Sequence, residues 1–328
     1  MQSEEQQLLS LLRLQRGYIS RKIISKKTGI SISRISKRIK TLRKYGYNIE
    51  SRHRMGYRLA GETNLPLPWE LTKVLNTSFV GKDKIIYRLA TDSTQNLAIL
   101  LAEKNPNSDG IVIIAGEQKS GRGRQNRKWL SPKGGIWLSV VLRPRISSSK
   151  ITLLPFAAAL AVCYAIKITT QLDAKLRWPN DVTISGKKVA GILIDISTEA
   201  KRINYAVVGI GINANVDSSA ISSYLEKGIK VTSLSDELGQ KTNILDLTKV
   251  ILERLEYYYI KLKRYAPHKI IEEWKKNSDI LYHKVAVMQD NRIIQGMAAD
   301  VNDDGSLLVR TNNSDNINVV AGDIHVTY

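Results

Sequence analysis

Cysteine is almost absent from this chain, because Cys163 is the single one among 328 residues. One thiol cannot form a disulfide within the chain, and its place in the apolar run 156–165 indicates a small buried side chain in a reducing compartment. Histidine is also scarce, with four residues, and no His/Cys cluster is present, so we expect no metal site made by the protein itself. A long apolar run at the N-terminus is missing, which predicts a cytoplasmic protein.

Acidic residues are rare at the N-terminal end. Residues 1–60 contain 15 Lys and Arg against 3 Asp and Glu, a net charge of +12, whereas residues 279–328 contain 3 against 7, a net charge of −4. The whole chain carries a net charge of +20. This asymmetry is more informative than the total, and it is typical of a nucleic-acid-binding module at the N-terminus.

Three short helices are predicted within this basic segment. Apolar residues open the first of them: Leu8, Leu9, Leu11, Leu12 and Ile19. The second runs from about Arg21 to Lys27 and is closed by Thr28-Gly29. Ser31 would cap the third, whose apolar stripe comprises Ile32, Ile35, Ile39 and Leu42.

A hairpin-like segment from Asn48 to Leu59 follows the third helix. Two short helices, a Gly-containing turn, a basic third helix and a hairpin describe a winged helix-turn-helix. The candidate DNA-contacting residues lie on the third helix and the wing: Ser31, Ser33, Arg34, Lys37, Arg38, Arg52 and Arg54. The alternative on pattern alone is a small three-helix bundle with a solvated basic face.

The remaining chain predicts an α+β protein with two further domains. Two prolines between Gly61 and Pro68 indicate a linker. We therefore expect a DNA-binding domain at 1–62, a mixed-sheet α+β domain at 66–272 and a small β-barrel at 278–328. In the centre, strands are predicted at 84–88, 111–115, 136–142, 174–177, 189–195 and 205–212, and helices at 93–103, 153–171 and 244–265. In the last domain, strands are predicted at 284–289, 293–301, 306–310 and 317–321, with a turn at Gly322-Asp323.

The loop from Gly121 to Pro132 is the most informative segment of the chain. It reads Gly-Arg-Gly-Arg-Gln-Asn-Arg-Lys-Trp-Leu-Ser-Pro and follows a strand-like apolar run at 111–115. Glycine lets a backbone approach a ligand closely, and arginine presents a planar fork of donors to phosphate or carboxylate. The loop therefore predicts an anion-binding site, whereas a solvated basic surface loop is the alternative.

A second segment reads Arg177-Trp-Pro-Asn-Asp-Val182, followed by a Ser185-Gly186 turn and the apolar strand that begins at Lys187. This pattern predicts a hairpin with a carboxylate, Asp181, on one strand and a lysine, Lys188, on the next. Together with Gly209-Ile-Gly-Ile-Asn213, these motifs resemble those of the biotin protein ligases, and in particular the bifunctional members that also repress the biotin operon. The resemblance covers nearly the whole chain.

The resemblance implies a two-step reaction. Biotin and ATP form biotinyl-5′-AMP and pyrophosphate, and the biotin then passes to one lysine of a biotin carboxyl carrier protein. It also implies a class II synthetase-like catalytic domain, an SH3-like C-terminal domain, binding of operator DNA and a ligand-promoted homodimer. Mg²⁺ is expected only with ATP. No P-loop or dinucleotide fingerprint is present, so nucleotide binding depends on the arginine loop.

The same resemblance assigns site residues. Arg122, Arg124 and Lys188 would meet the carboxylate and phosphate, and Asp181 would orient or deprotonate the incoming lysine, so that Arg124, Lys188 and Asp181 are the catalytic candidates. Other residues would bind biotin or the adenylate: Ser93, Thr94, Gln95, Gln118, Gly121, Gly123, Arg127, Trp129, Asn180, Gly191, Gly209, Gly211, Ile212 and Asn213. Of these, Gly209, Gly211 and Ile212 would form an apolar wall.

Three positions depart from the family pattern. Asn126 replaces a glycine, Arg177 replaces a lysine, and Gln95-Asn96 follows Ser93-Thr94 where Asn usually comes first. Three alternatives remain open on the residues. The chain could be a lipoate–protein ligase, a ligand-sensing transcription factor without ligase activity, or a ligase that no longer represses.

Overall fold

A computed structural model describes residues 3–199, 202–222, 230–264, 268–289 and 292–327, without the side chains of residues 126, 148, 149, 323, 325 and 327. The chain divides into two compact units, Met1–Lys73 and Val74–Tyr328. Each unit is described by itself below. No helix of the described residues is long and apolar enough to cross a membrane.

The first unit is a winged helix-turn-helix. Its helices and strands are α1 (Glu4–Leu14), α2 (Arg21–Thr28), α3 (Ile32–Lys44), β1 (Asn48–Arg52), β2 (Gly56–Gly61) and α4 (Pro68–Val74), the last of which reaches the boundary of the unit. β1 and β2 pair antiparallel and form the wing. Leu8, Leu12, Ile24, Ile35 and Leu42 form a fully buried core among the three helices.

Two apolar residues lie elsewhere than the sequence indicated. Ile19 is beyond the end of α1 and forms an isolated antiparallel bridge with Tyr57 of the wing. Ile32 does not join the buried stripe of α3, because its side chain is 45% exposed at the first turn of that helix. Ile35, Ile39 and Leu42 are buried as predicted.

A seven-stranded mixed sheet forms the centre of the second unit, in the order β3-β4-β5-β9-β8-β7-β6. Its strands are β3 (Ile85–Arg88), β4 (Val112–Ala115), β5 (Ile136–Leu142), β6 (Ala174–Arg177), β7 (Asp181–Ile184), β8 (Lys187–Glu199) and β9 (Arg202–Ile212). Only β3 and β4 pair parallel, and the other neighbours pair antiparallel. The predicted hairpin with Asp181 on one strand and Lys188 on the next is confirmed.

The second unit also contains helices. They are α5 (Thr94–Lys104), α6 (Ser148–Ile151), α7 (Leu154–Thr170), α8 (Ser218–Ser222), α9 (Leu234–Leu238), α10 (Ile244–Arg264) and α11 (His268–Lys276). α5 contacts β4, β5 and β9, whereas α7 contacts β6, β7 and β8 and is covered by α10. Since α7 lies between sheet and helix, eleven of its residues are buried, as its uniformly apolar sequence predicted. Burial raises the pKa of the Cys163 thiol to about 12, so this side chain is a neutral core residue.

A five-stranded antiparallel sheet completes the chain, in the order β13-β12-β11-β10-β14. Its strands are β10 (Lys284–Gln289), β11 (Arg292–Val301), β12 (Leu307–Arg310), β13 (Asn316–Val319) and β14 (Asp323–Thr327). Four of these were predicted, but β14 was not. The small sheet is linked to the segment between β6 and β7 by a hydrogen bond that Trp178 Nε1 donates to Gly305 O over 2.9 Å.

Candidate active site

A cavity of about 380 Å³ lies in the second unit. Its wall is formed by the start of α5, the loop that precedes β5, strands β7, β8 and β9, and the end of the chain. The volume is within the range of small-molecule sites. Two chemically different ends can be distinguished, one with neutral hydrogen-bonding groups and one with cations.

The neutral end is a network of side chains on four elements. Thr94 donates its backbone N–H to Gln118 Oε1 over 2.8 Å, and its hydroxyl lies 2.9 Å from Ser139 Oγ. Gln118 Nε2 donates to Ser131 Oγ over 2.8 Å, and Ser139 Oγ donates to Gln95 Oε1 over 2.9 Å. Ser93 caps α5 by accepting from Asn96 N. These buried neutral groups suit a ligand with its own amide-like donors and acceptors.

The cationic end is built by the loop 121–131, which is a closed hairpin. Trp129 N donates to Gly121 O over 2.9 Å, and Gly123 N donates to Arg127 O over 2.7 Å. The turn is a 3-10 segment, Arg124–Asn126, in which Gln125 occupies the left-handed region with a φ of +53°. Backbone pairing therefore fixes the hairpin while its arginine side chains remain half-buried or exposed.

Three cations of this end are held by neutral or acidic partners. Arg122 Nη1 donates to Asn96 Oδ1 over 2.9 Å and lies 3.4 Å from Asp195 Oδ2. Arg124 Nη1 donates to Asn180 Oδ1 over 3.1 Å. Lys188 forms an ion pair with Asp181.

The Trp129 indole covers a surface made by two glycines. Gly191 of β8 and Gly211 of β9 are directly paired across the sheet. A Cβ added at Gly211 would lie 2.5 Å from Trp129 Nε1, and one at Gly191 would lie 3.0 Å from the six-membered ring. Lys188 Nζ lies 5.2 Å from the indole centroid, within the range of a cation–π contact. The missing side chains at both glycines thus make room for the ring.

Comparison with known proteins identifies this arrangement. The biotin/lipoate A/B protein ligase family matches residues 87–213, an HTH domain matches 4–58, and the biotin protein ligase C-terminal domain matches 284–326. The bifunctional ligase/repressor BirA of Bacillus subtilis is 34% identical to this chain over 298 residues, which cover 90% of each protein. The chain belongs to the biotin/lipoate A/B protein ligase family.

Other members of the family agree with this placement. The biotin--[acetyl-CoA-carboxylase] ligase of Paracoccus denitrificans is 30% identical over 67% of this chain and 91% of its own length. The structure of the biotin protein ligase from Aquifex aeolicus in complex with biotin and ATP matches with a TM-score of 0.63 at 27% identity, and it covers 75% of this chain and 99% of that one. The family resemblance inferred from the sequence motifs is confirmed.

The structure brings together most of the residues that were assigned to the ligase site. Sixteen of the eighteen line the cavity: Ser93, Thr94, Gln95, Gln118, Arg122, Gly123, Arg124, Arg127, Trp129, Asn180, Asp181, Lys188, Gly191, Gly209, Gly211 and Asn213. Asn180 and Asn213 are also structural, since their Nδ2 atoms donate to Ile192 O and Thr232 O. Trp178 is 1% exposed, as expected of a core residue.

Two assigned residues do not line the cavity. Gly121 lies where the hairpin closes, and a Cβ there would be 2.4 Å from Trp129 O, so its role is to let two backbone segments meet. Ile212 is fully buried, because side chains alternate along β9 and Ile212 points to the face opposite Gly211. The predicted apolar wall is therefore formed without Ile212.

The sequence interpretation missed three contributions to the site. Asp195 Oδ2 accepts from Gln95 Nε2 over 3.0 Å, and the same oxygen faces Arg122. The sequence signal for this residue was a lone carboxylate in an apolar strand. The C-terminal sheet adds Met288, Gly322, Ile324 and Val326 to the lining. Arg177 forms an ion pair with Asp279, with 2.6 Å between Nη2 and Oδ2, so its guanidinium is anchored beside the cavity.

The candidate DNA-binding residues lie on the first unit. Ser33 and Lys37 are exposed on α3, and Ser31 is exposed at the N-cap position of this helix, where its side chain makes no capping hydrogen bond. Arg38 is bound to the start of α1, with Nε 2.6 Å from Glu4 Oε2 and Nη1 2.9 Å from Glu5 Oε1.

Arg34 also reaches Glu4 over 2.8 Å but remains 57% exposed. In the wing, Arg52 lies over the Tyr18 ring at 5.6 Å, and Arg54 occupies the left-handed region with a φ of +60°. The basic face is therefore present, but part of its charge is neutralised within the unit.

Proposed function

We propose that this chain joins biotin to ATP and transfers the biotin to one lysine of a biotin carboxyl carrier protein, and that it represses biotin synthesis genes when the adenylate accumulates. The observation that carries the ligase half is the two-ended cavity. Its neutral network matches the ureido ring of biotin, which both donates and accepts hydrogen bonds. Its cations match the carboxylate and phosphate that react. We place this activity in the cytoplasm.

In the first step a carboxylate oxygen of biotin attacks the α-phosphorus of ATP, and the bond to the bridging oxygen of pyrophosphate breaks. Two anions must approach each other, so the site must neutralise charge rather than remove a proton. Arg122, Arg124 and Lys188 supply three positive charges at the same end of the cavity. Mg²⁺ would accompany ATP as part of the substrate and would neutralise further phosphate charge.

In the second step the acceptor lysine nitrogen attacks the acyl carbon of the mixed anhydride, and AMP leaves with the bonding electron pair. The acceptor ammonium must lose a proton before it can attack. Asp181 lines the cavity, and its ion pair with Lys188 would hold it beside the reacting centre. Asp181 therefore orients the amine or accepts its proton.

The ligase half is tested by incubating the full chain with ATP, Mg²⁺ and an acceptor domain, with either biotin or lipoate. A mass increase of the acceptor lysine by one biotin supports the proposal. Modification by lipoate alone would instead assign the chain to the lipoate branch, and absence of any adenylate would leave a ligand-sensing transcription factor.

The repressor half depends on a homodimer, because a single winged helix binds DNA weakly and a two-fold operator needs two of them. The edge of β8 offers a place for dimer contact. Among the residues that the structure describes, its pairs with β7 end at Gly191, whereas its pairs with β9 continue to Glu199. Leu193 and Ile194 on this edge are half-buried, and Ile196 is 43% exposed. A second copy could extend the sheet here.

Sedimentation of the full chain with and without biotin plus ATP tests this half. A shift from monomer to dimer when both substrates are present supports it, and a duplex selected from a random pool by the loaded protein would supply the operator. A chain that stays monomeric and selects no sequence would be a ligase without repressor activity.

A further inference from the structure

Asp195 lies behind the wall of the cavity and holds two residues that form the wall. Its Oδ2 atom accepts from Gln95 Nε2 over 3.0 Å, and the same oxygen lies 3.4 Å from Arg122 Nη1. Gln95 belongs to the neutral end of the cavity and Arg122 to the cationic end. One carboxylate oxygen therefore joins the two ends.

Both polar atoms of the Gln95 side-chain amide form hydrogen bonds. Its side chain is 3% exposed, Nε2 also donates to Val207 O over 3.1 Å, and Oε1 accepts from Ser139 Oγ over 2.9 Å. The amide thus reaches across from α5 to β8 and β9. Asparagine is one methylene shorter, so it could not span this distance from the same backbone position.

The charge of Asp195 excludes a direct role in binding the anionic substrates. A carboxylate repels biotin carboxylate and ATP phosphates, and it draws positive charge from Arg122. The 3.4 Å separation is at the long end for a hydrogen-bonded ion pair, so an incoming anionic oxygen can compete for the guanidinium. Arg122 keeps a second anchor in Asn96 Oδ1, at 2.9 Å.

From this geometry we infer that Asp195 is a positioning residue for the ligase reaction, which acts through Arg122 and Gln95 to align the anion-binding guanidinium with the ring-binding network. The inference rests on the proposed ligase function. When the adenylate is bound, the aligned Arg122 retains it, and Gln95 keeps the neutral end of the cavity aligned with Arg122. Loss of Asp195 should let the reactive adenylate escape.

The test measures release of biotinyl-AMP from the full chain after a single turnover, together with the KM for ATP. Asp195→Asn keeps the shape and removes the charge, and we expect release to accelerate roughly tenfold or more. Asp83→Asn, an exposed site outside the cavity, is the matched control and should release the adenylate as the wild type does. Asp195→Glu restores the charge and should recover much of the retention.

A double-mutant cycle separates positioning from a general structural effect. If Asp195 acts through Arg122 as well as Gln95, then Asp195→Asn should accelerate release less in the Arg122→Gln background than in the wild type, because one of the two partners is already gone. Gln95→Asn should accelerate release and be non-additive with Asp195→Asn.

Three outcomes are distinguishable. A wild-type chain that forms no adenylate overturns the proposed function itself. If Asp195→Asn forms the adenylate normally and releases it at the wild-type rate, the inference is overturned. A lower KM for ATP with unchanged release overturns it too, because the carboxylate then acts only as a repelling charge. Accelerated release that persists undiminished in the Arg122→Gln background overturns it as well.

Discussion

The carboxylate of Asp181 and the ammonium of Lys188 form an ion pair, with 2.7 Å between Oδ1 and Nζ. The two residues lie on neighbouring antiparallel strands, β7 and β8, which are joined by a tight turn. The proposed mechanism gives these two neighbours roles in different steps of the reaction. Lys188 would neutralise anions in adenylate formation, whereas Asp181 would serve the amine in transfer.

The first prediction separates these steps. Asp181→Asn should slow transfer by about 10²-fold or more, since this is the usual contribution of a positioned proton acceptor. Adenylate formation should slow much less, because no proton is removed in that step. Rapid quench with biotin and ATP, followed by addition of acceptor, measures the two rates separately. Equal losses in both steps would mean that Asp181 only holds Lys188.

The second prediction concerns the glycine surface under Trp129. Gly211→Ala places a methyl group 2.5 Å from the indole nitrogen, so the ring must move. Overpacking of this kind costs about 1–3 kcal/mol, or roughly a 5- to 150-fold loss of affinity for the ligand that the ring covers. Biotin binding by calorimetry gives the change. Gly17→Ala is the control, because a Cβ at Gly17 meets nothing within 4 Å. Unchanged affinity in Gly211→Ala would remove Trp129 from the site.

Much of the fold could be predicted from local pattern. Strands 136–142, 174–177 and 284–289 have the bounds that the sequence indicated, because each is an apolar or alternating run that ends in polar or turn residues. β14 was missed because it begins at Asp323, within a Gly322-Asp323 pair that was interpreted as a turn. Its partner β10 is distant in sequence, so no local signal marks the pairing.

The candidate site likewise contains residues that the sequence could identify and residues that it could not. Motif residues such as Arg124 and Lys188 carry their chemistry in the sequence, so they could be identified from it. Asp195 could not be assigned a partner, because Gln95 and Arg122 come to it from segments that are 100 and 73 residues away in the chain, respectively. The contribution of Ile324 and Val326 requires the packing of the C-terminal sheet, which no motif encodes.

The third prediction is a pH dependence of stability. Glu256 is 8% exposed; burial alone would raise its pKa, but hydrogen bonds from Ser78, Phe79 and Val80 outweigh this and lower the pKa below its ordinary 4.5. A lowered carboxyl pKa gives stability that is full above about pH 4.5 and is lost as the pH falls through the folded-state pKa.

Glu256→Gln should therefore lower the free energy of unfolding at pH 7 by about 1.5–3 kcal/mol, and the difference from wild type should shrink at pH 3. Urea unfolding at both pH values is the measurement. Glu272→Gln, on an exposed position, should leave the free energy unchanged. A deficit of the same size at pH 3 and pH 7 would show that shape rather than charge is responsible.

The last prediction concerns the basic face of α3. The sequence placed Lys37 and Arg38 together as DNA contacts, but the structure gives them different surroundings. Lys37 is exposed, whereas Arg38 is bound to Glu4 and Glu5 of α1. A free lysine can neutralise a phosphate and release a counterion, whereas a paired arginine must first leave its carboxylates.

Lys37→Gln should therefore weaken binding of the substrate-loaded protein to a selected duplex and reduce the salt slope by about one, with little change in thermal stability. Arg38→Gln should instead lower the melting temperature, because it leaves the partly buried Glu5 without this partner and Glu4 with Arg34 alone, and it should change the salt slope less. Fluorescence anisotropy between 50 and 200 mM salt gives both slopes. If Arg38→Gln lowers the slope as much as Lys37→Gln does, then Arg38 leaves α1 to contact DNA, and its ion pairs belong to the DNA-free protein alone.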